Sequence, residues 1–148
     1  MGKFLNLLDS TELGCCNGRA ILRLDAPLGF LVHQGLLIEV PRGFETDLAS
    51  VPRVPIAFWI WGDRAHREAV VHDFCYRSDA WVHEISGGVW TRRLGIPKED
   101  GDWYFREAMI SQGQPYYIYQ PMFWGVRLGG GSSFHRMKVM DHFDIDGG

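Results

Sequence analysis

The stretch AVVHDFCYRSD, residues 69–79, decides how this chain is interpreted. It sets two adjacent polar residues, His72 and Asp73, inside a segment that is otherwise apolar or aromatic up to Arg77. A core-facing helix rarely carries such a pair in its middle, because buried polar groups need hydrogen-bond partners. The pair is therefore either catalytic or part of a structural clasp, by which we mean a buried polar cluster that only holds elements together.

A helix is predicted around this pair, over residues 66–80. Glu68 is an acid near its start, where the helix dipole favours negative charge. On a helix, Glu68 and Tyr76 share a face with His72, since each is one turn away. Asp73 lies about 100° further round the helix. Both members of the pair can therefore line a groove, but they cannot point in the same direction.

A second helix is predicted over residues 97–113. Pro97 suits its first turn and Gly113 suits its end. If the two helices pack antiparallel, Asp102 can lie against His72. A carboxylate on one ring nitrogen fixes the imidazole tautomer and leaves the other nitrogen to act as a base. The spacing thus predicts a base–carboxylate dyad, His72 with Asp102.

The fold class predicted is α+β, with a small N-terminal antiparallel β-sheet packed against two or three α-helices. Residues 18–47 supply the sheet, because apolar and β-branched runs alternate there with turn signals. Residues 81–97 are interpreted as an irregular connector, and a third helix is expected to be interrupted at Pro121. We expect one globular domain over residues 1–131, followed by a glycine-rich, acidic tail at 132–148 that is extended or flexible.

Composition excludes several classes of partner. A formal net charge of −3 gives no electrostatic reason to expect nucleic acid. No uninterrupted apolar segment approaches the length of about 18 residues that a membrane span needs. The three cysteines form no Cys-x-x-Cys pair, which argues against a thiolate zinc site and fits synthesis in a reducing cytoplasm.

The chain resembles DUF1353, a family of short phage and prophage proteins, in three motifs that occur in order. They are VPRGFETDLASVPR at residues 40–53, HDFCYR at 72–77 and DWYFREAM at 102–109, and the resemblance spans about residues 38–128. The family's function is unassigned, so the resemblance implies a phage origin without implying an activity. One departure is Gly101, where the family usually has alanine; we expect it to change only helix strength.

A fainter similarity is to the His-Asp-x-Cys-Tyr helix of secreted phospholipases A2, and to the viral capsid phospholipases. It implies that His72 activates water, that Asp102 orients His72, that Asp73 holds calcium and that Tyr76 braces the network. The glycine-rich calcium loop and the disulfides of the secreted enzymes have no counterpart here. Calcium also needs more oxygen ligands than one carboxylate. A divalent cation such as calcium is thus implied by this similarity alone.

The motif TDLASVPR adds three further candidates. Asp47 is either a turn or helix-capping device or a third catalytic acid of the cluster. Ser50 is a nucleophile only if a base lies beside it. Arg53 either binds an anion or pairs with Asp47 or Asp73. Together with Tyr76, Ser50 and Arg53 are candidate substrate-binding or network residues.

Other chemistry-bearing residues also have two interpretations. Cys75 is either a small core residue or a thiol nucleophile. His66 and His72 lie nearly opposite each other on a helix, so they cannot chelate one zinc ion together. The aromatic cluster within residues 116–124 is either core and protein interface or a sugar-binding platform.

Two functions of different classes follow from these residues and resemblances. The first is a phage-encoded hydrolase of envelope material, lipid or peptidoglycan, with His72 as general base and Asp102 or Asp47 orienting it. The second is a non-enzymatic virion component, for example at the tail tip or baseplate, in which the histidine–aspartate cluster is a structural clasp. Both imply synthesis in the host cytoplasm, and the second implies other virion proteins as partners. A buried His72 would favour the clasp.

Overall fold

The computed structural model describes residues 2–16, 19–47, 67–132 and 134–143. Within these ranges the chain forms two antiparallel sheets and three α-helices, which confirms the α+β class. The strands are β1 (Lys3–Phe4), β2 (Ser10–Cys16), β3 (Arg19–Leu24), β4 (Leu28–His33), β5 (Leu36–Val40), β6 (Glu45–Thr46), β7 (Trp81–Ser86) and β8 (Val89–Leu94). The helices are α1 (Arg67–Cys75), α2 (Lys98–Ser111) and α3 (Tyr116–Gly129), followed by a 3₁₀ turn at Gly130–Ser132.

The larger sheet has the order β1-β4-β5-β7-β8, and the smaller has the order β2-β3-β6. Strand β5 alternates between buried and more exposed residues, and its register with β4 places Phe30 and Ile38 opposite each other on the buried face. That face packs against Val70, Val71 and Phe74 of α1 in one hydrophobic cluster. The sheet therefore supports α1 from one side.

Helix α1 is the centre of the fold, because all of its residues are buried. Ala69 packs with Phe105 and Met109 of α2 and with Met122 and Val126 of α3 in a second apolar cluster. The helix ends at Cys75, earlier than predicted, and the backbone N–H of Tyr76 closes the last turn on the carbonyl of His72 at 3.1 Å. Residue 66 lies outside the described residues.

The prediction of an irregular connector at residues 81–97 is wrong, since β7 and β8 form a regular hairpin there. Gly87 and Gly88 have φ values of 59° and 80°, the left-handed conformations that a two-residue hairpin turn requires. The glycines that suggested irregularity are the residues that make the hairpin possible.

The helices α2 and α3 follow the sequence signals closely. Helix α2 starts directly after Pro97, and Gly113 beyond its end has a φ of 80°. Helix α3 continues through Pro121, where an interruption was expected. Pro121 lies on the exposed side of α3, so water can hydrate the carbonyl that loses its hydrogen-bond donor. No described helix combines the length and the apolar character that crossing a bilayer requires.

Gly101 does more than weaken a helix, contrary to the expectation from sequence. A Cβ atom at this position would lie 3.2 Å from the Cβ of Cys75 and 3.7 Å from the ring of Tyr76. The glycine thus lets α2 approach α1 closely, one residue before Asp102. The small side chain therefore contributes to the position of the candidate site.

The described part of the predicted tail, residues 134–143, lies against the end of α1. Val139 is buried, and its N–H donates to the carboxylate of Asp79 at 2.6 Å. The N–H of Ser78 donates to the carbonyl of Met137 at 2.8 Å. This segment is therefore packed onto the domain, while the division of the chain at residue 131 stays a prediction.

Candidate functional site: a buried histidine–carboxylate cluster

The carboxylate of Asp102 is the centre of the candidate site. Its Oδ1 lies 2.8 Å from Nε2 of His72 and accepts the hydroxyl of Tyr76 at 2.5 Å. Its Oδ2 accepts Nζ of Lys98 at 2.9 Å and Nη1 of Arg127 at 3.0 Å. The predicted contact between His72 and Asp102 is confirmed, and their catalytic role stays a prediction.

Helical spacing explains how these side chains meet. His72 and Tyr76 are one turn apart at the end of α1, and Lys98 and Asp102 are one turn apart on α2. Lys98 also donates to the carbonyls of Val126 and Arg127 at 2.9 and 3.1 Å, near the end of α3. The cluster therefore joins all three helices at one point.

Asp102 is ionised at neutral pH in this setting. Burial opposes its ionisation, but hydrogen bonds from His72, Tyr76 and Lys98 outweigh burial and lower its pKa to about 2. Burial and the hydrogen bond to Asp102 raise the pKa of Tyr76 above its usual value, so Tyr76 remains a neutral donor. Two cationic side chains face this carboxylate, so its charge is compensated and it is a poor proton acceptor.

His72 is fully buried, with 0% of its surface exposed. Its ring lies between the rings of Tyr76 and Phe105, at centroid distances of 4.2 and 4.8 Å. A general base must reach the proton that it removes, directly or through one water. In this conformation the imidazole is held by its neighbours and has no contact with solvent, as expected for a structural clasp.

Asp73 points to a different side of α1 and belongs to a second polar cluster. The hydroxyl of Thr46 donates to Oδ2 of Asp73. Burial lowers the pKa of Arg77, and the nearby charges of Asp73 and Asp47 oppose that effect. Asp73, which the phospholipase similarity implies as a calcium ligand, and Asp47, the candidate third catalytic acid, thus both lie close enough to the buried guanidinium of Arg77 to affect its pKa.

Arg77 connects this second cluster to the rest of the chain. Its Nη2 donates to the carbonyl of Glu45 at 2.7 Å, and its Nη1 donates to the carbonyl of Lys138 at 3.0 Å. The guanidinium also lies 4.7 Å from the centroid of the Phe44 ring. Arg77 therefore ties the strand β6 and the C-terminal segment to the end of α1.

The remaining candidates have simple outcomes. Ser50 and Arg53 lie outside the described residues, so their roles stay predictions. Cys75 is buried, and burial raises the pKa of its thiol far above the usual value, which suits a core residue rather than a nucleophile. Among the residues that the structure describes, no three His, Cys, Asp or Glu side chains lie together as a metal ion would need.

Sequence reasoning missed two residues of the site, Lys98 and Arg127, and the burial of a third, Glu68. Lys98 was detectable, because it stands one turn before Asp102 on the same helix. Arg127 was not, because only the packing of α3 brings it to Asp102. Glu68 was noted as a neighbour of His72, but no sequence signal shows whether a carboxyl has a partner.

Glu68 is the unusual group of this region. It is 1% exposed, and neither carboxylate oxygen has a hydrogen-bond partner in the described structure. Burial raises its pKa to about 7, against smaller opposing effects of its own backbone and of Arg67. One face of α1 thus carries His72, which contacts Asp102, and, one turn earlier, a buried carboxyl whose pKa is raised to about 7.

Replacement of Asp102 by asparagine should destabilise the protein by about 3–5 kcal/mol at neutral pH, because two cations lose a buried counterion. The lowered pKa accounts for about 2 kcal/mol of this stabilisation, a part that is complete above pH 3.8 and is lost as the pH falls towards 2. Urea unfolding of parent and variant across this range measures it. Glu107→Gln on the same helix, which removes only a pair with adjacent Arg106, should cost less than about 1 kcal/mol. Equal effects of the two substitutions would contradict the assignment.

Replacement of Glu68 by glutamine should stabilise the protein, and only at higher pH. Because the folded pKa of Glu68 is raised from 4.5 to about 7, its ionisation removes stability as the pH rises through that interval. We expect a gain of about 3 kcal/mol above pH 7 and almost none below pH 4.5. Urea unfolding of both proteins at the two extremes tests this, and a gain that does not vary with pH would show that the pKa of Glu68 is not raised on folding.

Comparison with known proteins identifies the family of this chain. A family model described as "Protein of unknown function (DUF1353)" matches residues 22–126. The match includes all three motifs and begins before the first of them, in strand β3. Comparisons with curated proteins and with solved structures find no match. Because the matched region covers most of the chain, this protein belongs to the DUF1353 family.

Proposed function

We propose that this protein is a non-enzymatic component of a phage particle, in which the cluster around Asp102 is a structural clasp. The observation that carries the proposal is the full burial of His72 against an Asp102 carboxylate that already has four donors. Such a cluster fixes how three helices pack, because any other arrangement leaves a buried charge unpaired.

The surface of α2 and α3 supports a role in assembly. Five large apolar side chains are exposed there to between 47% and 84%, namely Trp103, Tyr116, Tyr117, Trp124 and Leu128. We call this surface the aromatic face. Neighbouring ring pairs connect much of it, since the ring centroids of Trp103 and Phe123 are 6.3 Å apart and those of Phe123 and Trp124 are 5.6 Å apart.

An aromatic face of this kind favours a protein partner. Soluble monomers rarely expose contiguous apolar patches of large size, and aromatic residues are enriched in the centres of protein interfaces. Arg106 lies 4.9 Å from the centroid of the Trp103 ring and adds a cation to the same surface. The phage particle is proposed as the setting because the family resemblance suggests a phage origin, with synthesis in the host cytoplasm and other virion proteins as partners.

A second candidate, a hydrolase of envelope lipid or peptidoglycan, is favoured by one specific observation. Glu68 has a buried carboxyl with no hydrogen-bond partner among the described residues and a pKa raised to about 7, one turn before His72. An acid–base residue works best when its pKa lies near the working pH. This function requires that both buried side chains first become accessible to substrate and water. His72, oriented by Asp102, then accepts a proton from the attacking water, and Glu68 donates one to the leaving group.

The assembly function predicts that the protein is found in purified phage particles and that the aromatic face holds it there. Trp124→Ser should lower its amount per particle, measured by quantitative mass spectrometry, at least about tenfold, because hot-spot aromatics carry much of an interface's binding energy. Leu7→Ser is the control, since Leu7 is 71% exposed and belongs to neither α2 nor α3. Particles that contain no trace of the parent protein would reject this function.

The hydrolase function predicts release of fatty acid from phospholipid vesicles, or of fragments from peptidoglycan, by the parent protein. Glu68→Gln should abolish this activity without unfolding the protein, because the substitution is expected to stabilise it at neutral pH. The experiment therefore separates chemistry from stability, which His72→Ala cannot do. Lack of hydrolysis by the parent, with and without calcium, would reject this candidate.

A further inference from the structure

Strand β8 forms one edge of the five-stranded sheet, and its side chains are exposed along its whole length. All six of its residues are exposed, including Val89 at 62%, Trp90 at 45% and Leu94 at 71%. No strand in the described ranges pairs with its outer side. The strand contains no proline, and its register with β7 is regular throughout. It thus lacks the bulge or proline that commonly protects an edge from pairing with another chain.

The geometry of the hairpin determines which backbone N–H and C=O groups of β8 point away from β7. A two-residue turn makes Ser86 and Val89 a hydrogen-bonded pair, and such pairs alternate along an antiparallel ladder. The N–H of Gly95 donates to the carbonyl of Ala80 at 2.8 Å, which agrees with this alternation. The N–H and C=O groups of Trp90, Arg92 and Leu94 therefore point away from β7.

We propose that β8 pairs antiparallel with β8 of a second copy of this chain, about a two-fold axis at Thr91. A two-fold axis perpendicular to a sheet places residues of the same face opposite each other, so the pairing must be centred on one residue. Centred at Thr91, it sets Trp90 opposite Arg92 of the second copy, and Arg92 opposite Trp90. This inference goes beyond the proposed function and does not depend on it.

The pattern of charges selects this register. A centre at Arg92 would set two guanidinium groups directly opposite each other, which destabilises a strand pair. A centre at Trp90 would bring the Gly87–Gly88 turn into the pairing and shorten it. A centre at Thr91 gives a threonine pair in the middle and two hydrogen-bonded tryptophan–arginine pairs beside it.

Arg92 is already placed for such a contact. Its guanidinium lies 4.7 Å from the centroid of the Trp81 ring on its own hairpin. Trp90 of the second copy would approach the same guanidinium from the other side, so that the cation lies between two indole rings. The neighbouring Arg93 brings no unpaired charge to the interface, because its Nε donates to Glu84 at 2.7 Å.

The test uses the full-length chain with Cys15 and Cys16 replaced by serine, which leaves the buried Cys75. In a Thr91-centred pair the two Thr91 Cα atoms face each other at about 4.5 Å, within the range that a disulfide spans. The two Val89 Cα atoms are about 13 Å apart along the strands, since four residues separate them. Thr91→Cys should form a covalent dimer under mild oxidation at least about tenfold faster than Val89→Cys.

Light scattering supplies the independent measurement. The parent should be a dimer, and Arg92→Pro should be a monomer with unchanged circular dichroism, because it removes an outward N–H and leaves the β7–β8 ladder intact. A monomeric parent at every soluble concentration would overturn the proposal. Equal rates of crosslinking for Thr91→Cys and Val89→Cys would overturn it as well.

Discussion

The arrangement of the helices depends on one buried negative charge, the carboxylate of Asp102. A carboxylate that leaves water without compensation is strongly destabilising, so its burial is possible only where donors surround it. Here the donors come from α1, from α2 itself and from α3, at distances between 2.5 and 3.0 Å. Apolar packing alone would tolerate small shifts between helices, whereas four directed bonds to one group do not.

Two carboxyl groups near the same helix face behave in opposite ways. Asp102 has four donors and a pKa of about 2, whereas Glu68 has no described partner and a pKa of about 7. Environment alone separates them, and such a separation is how proteins prepare one acid and one base from similar groups. The clasp explains Asp102 completely and leaves Glu68 unexplained, which is why the hydrolase remains the second candidate.

Several charged side chains are buried and several large aromatic side chains are exposed, the reverse of the usual distribution in a globular protein. Arginine, glutamate, histidine and aspartate are buried in and around α1, while tryptophan, tyrosine and leucine are exposed on α2, α3 and the hairpin. The buried polar groups specify one packing, and the exposed aromatic groups leave apolar surface for other chains. Both features support the assembly role proposed above.

The sequence by itself determined the α+β class, the limits of α2 to within two residues and the contact of His72 with Asp102. These are local properties, because helical periodicity and capping depend on residues close together in the chain. The glycine pair in residues 81–97 was misinterpreted, since two glycines signal a turn without showing that the flanking segments pair. Tertiary structure alone decided that Arg127 reaches Asp102 and that Gly101 allows α2 to approach α1 closely. It also decided that Glu68 is buried with no hydrogen-bond partner in the described part of the chain. Burial and long-range contacts depend on how distant segments pack, and no local pattern contains that information.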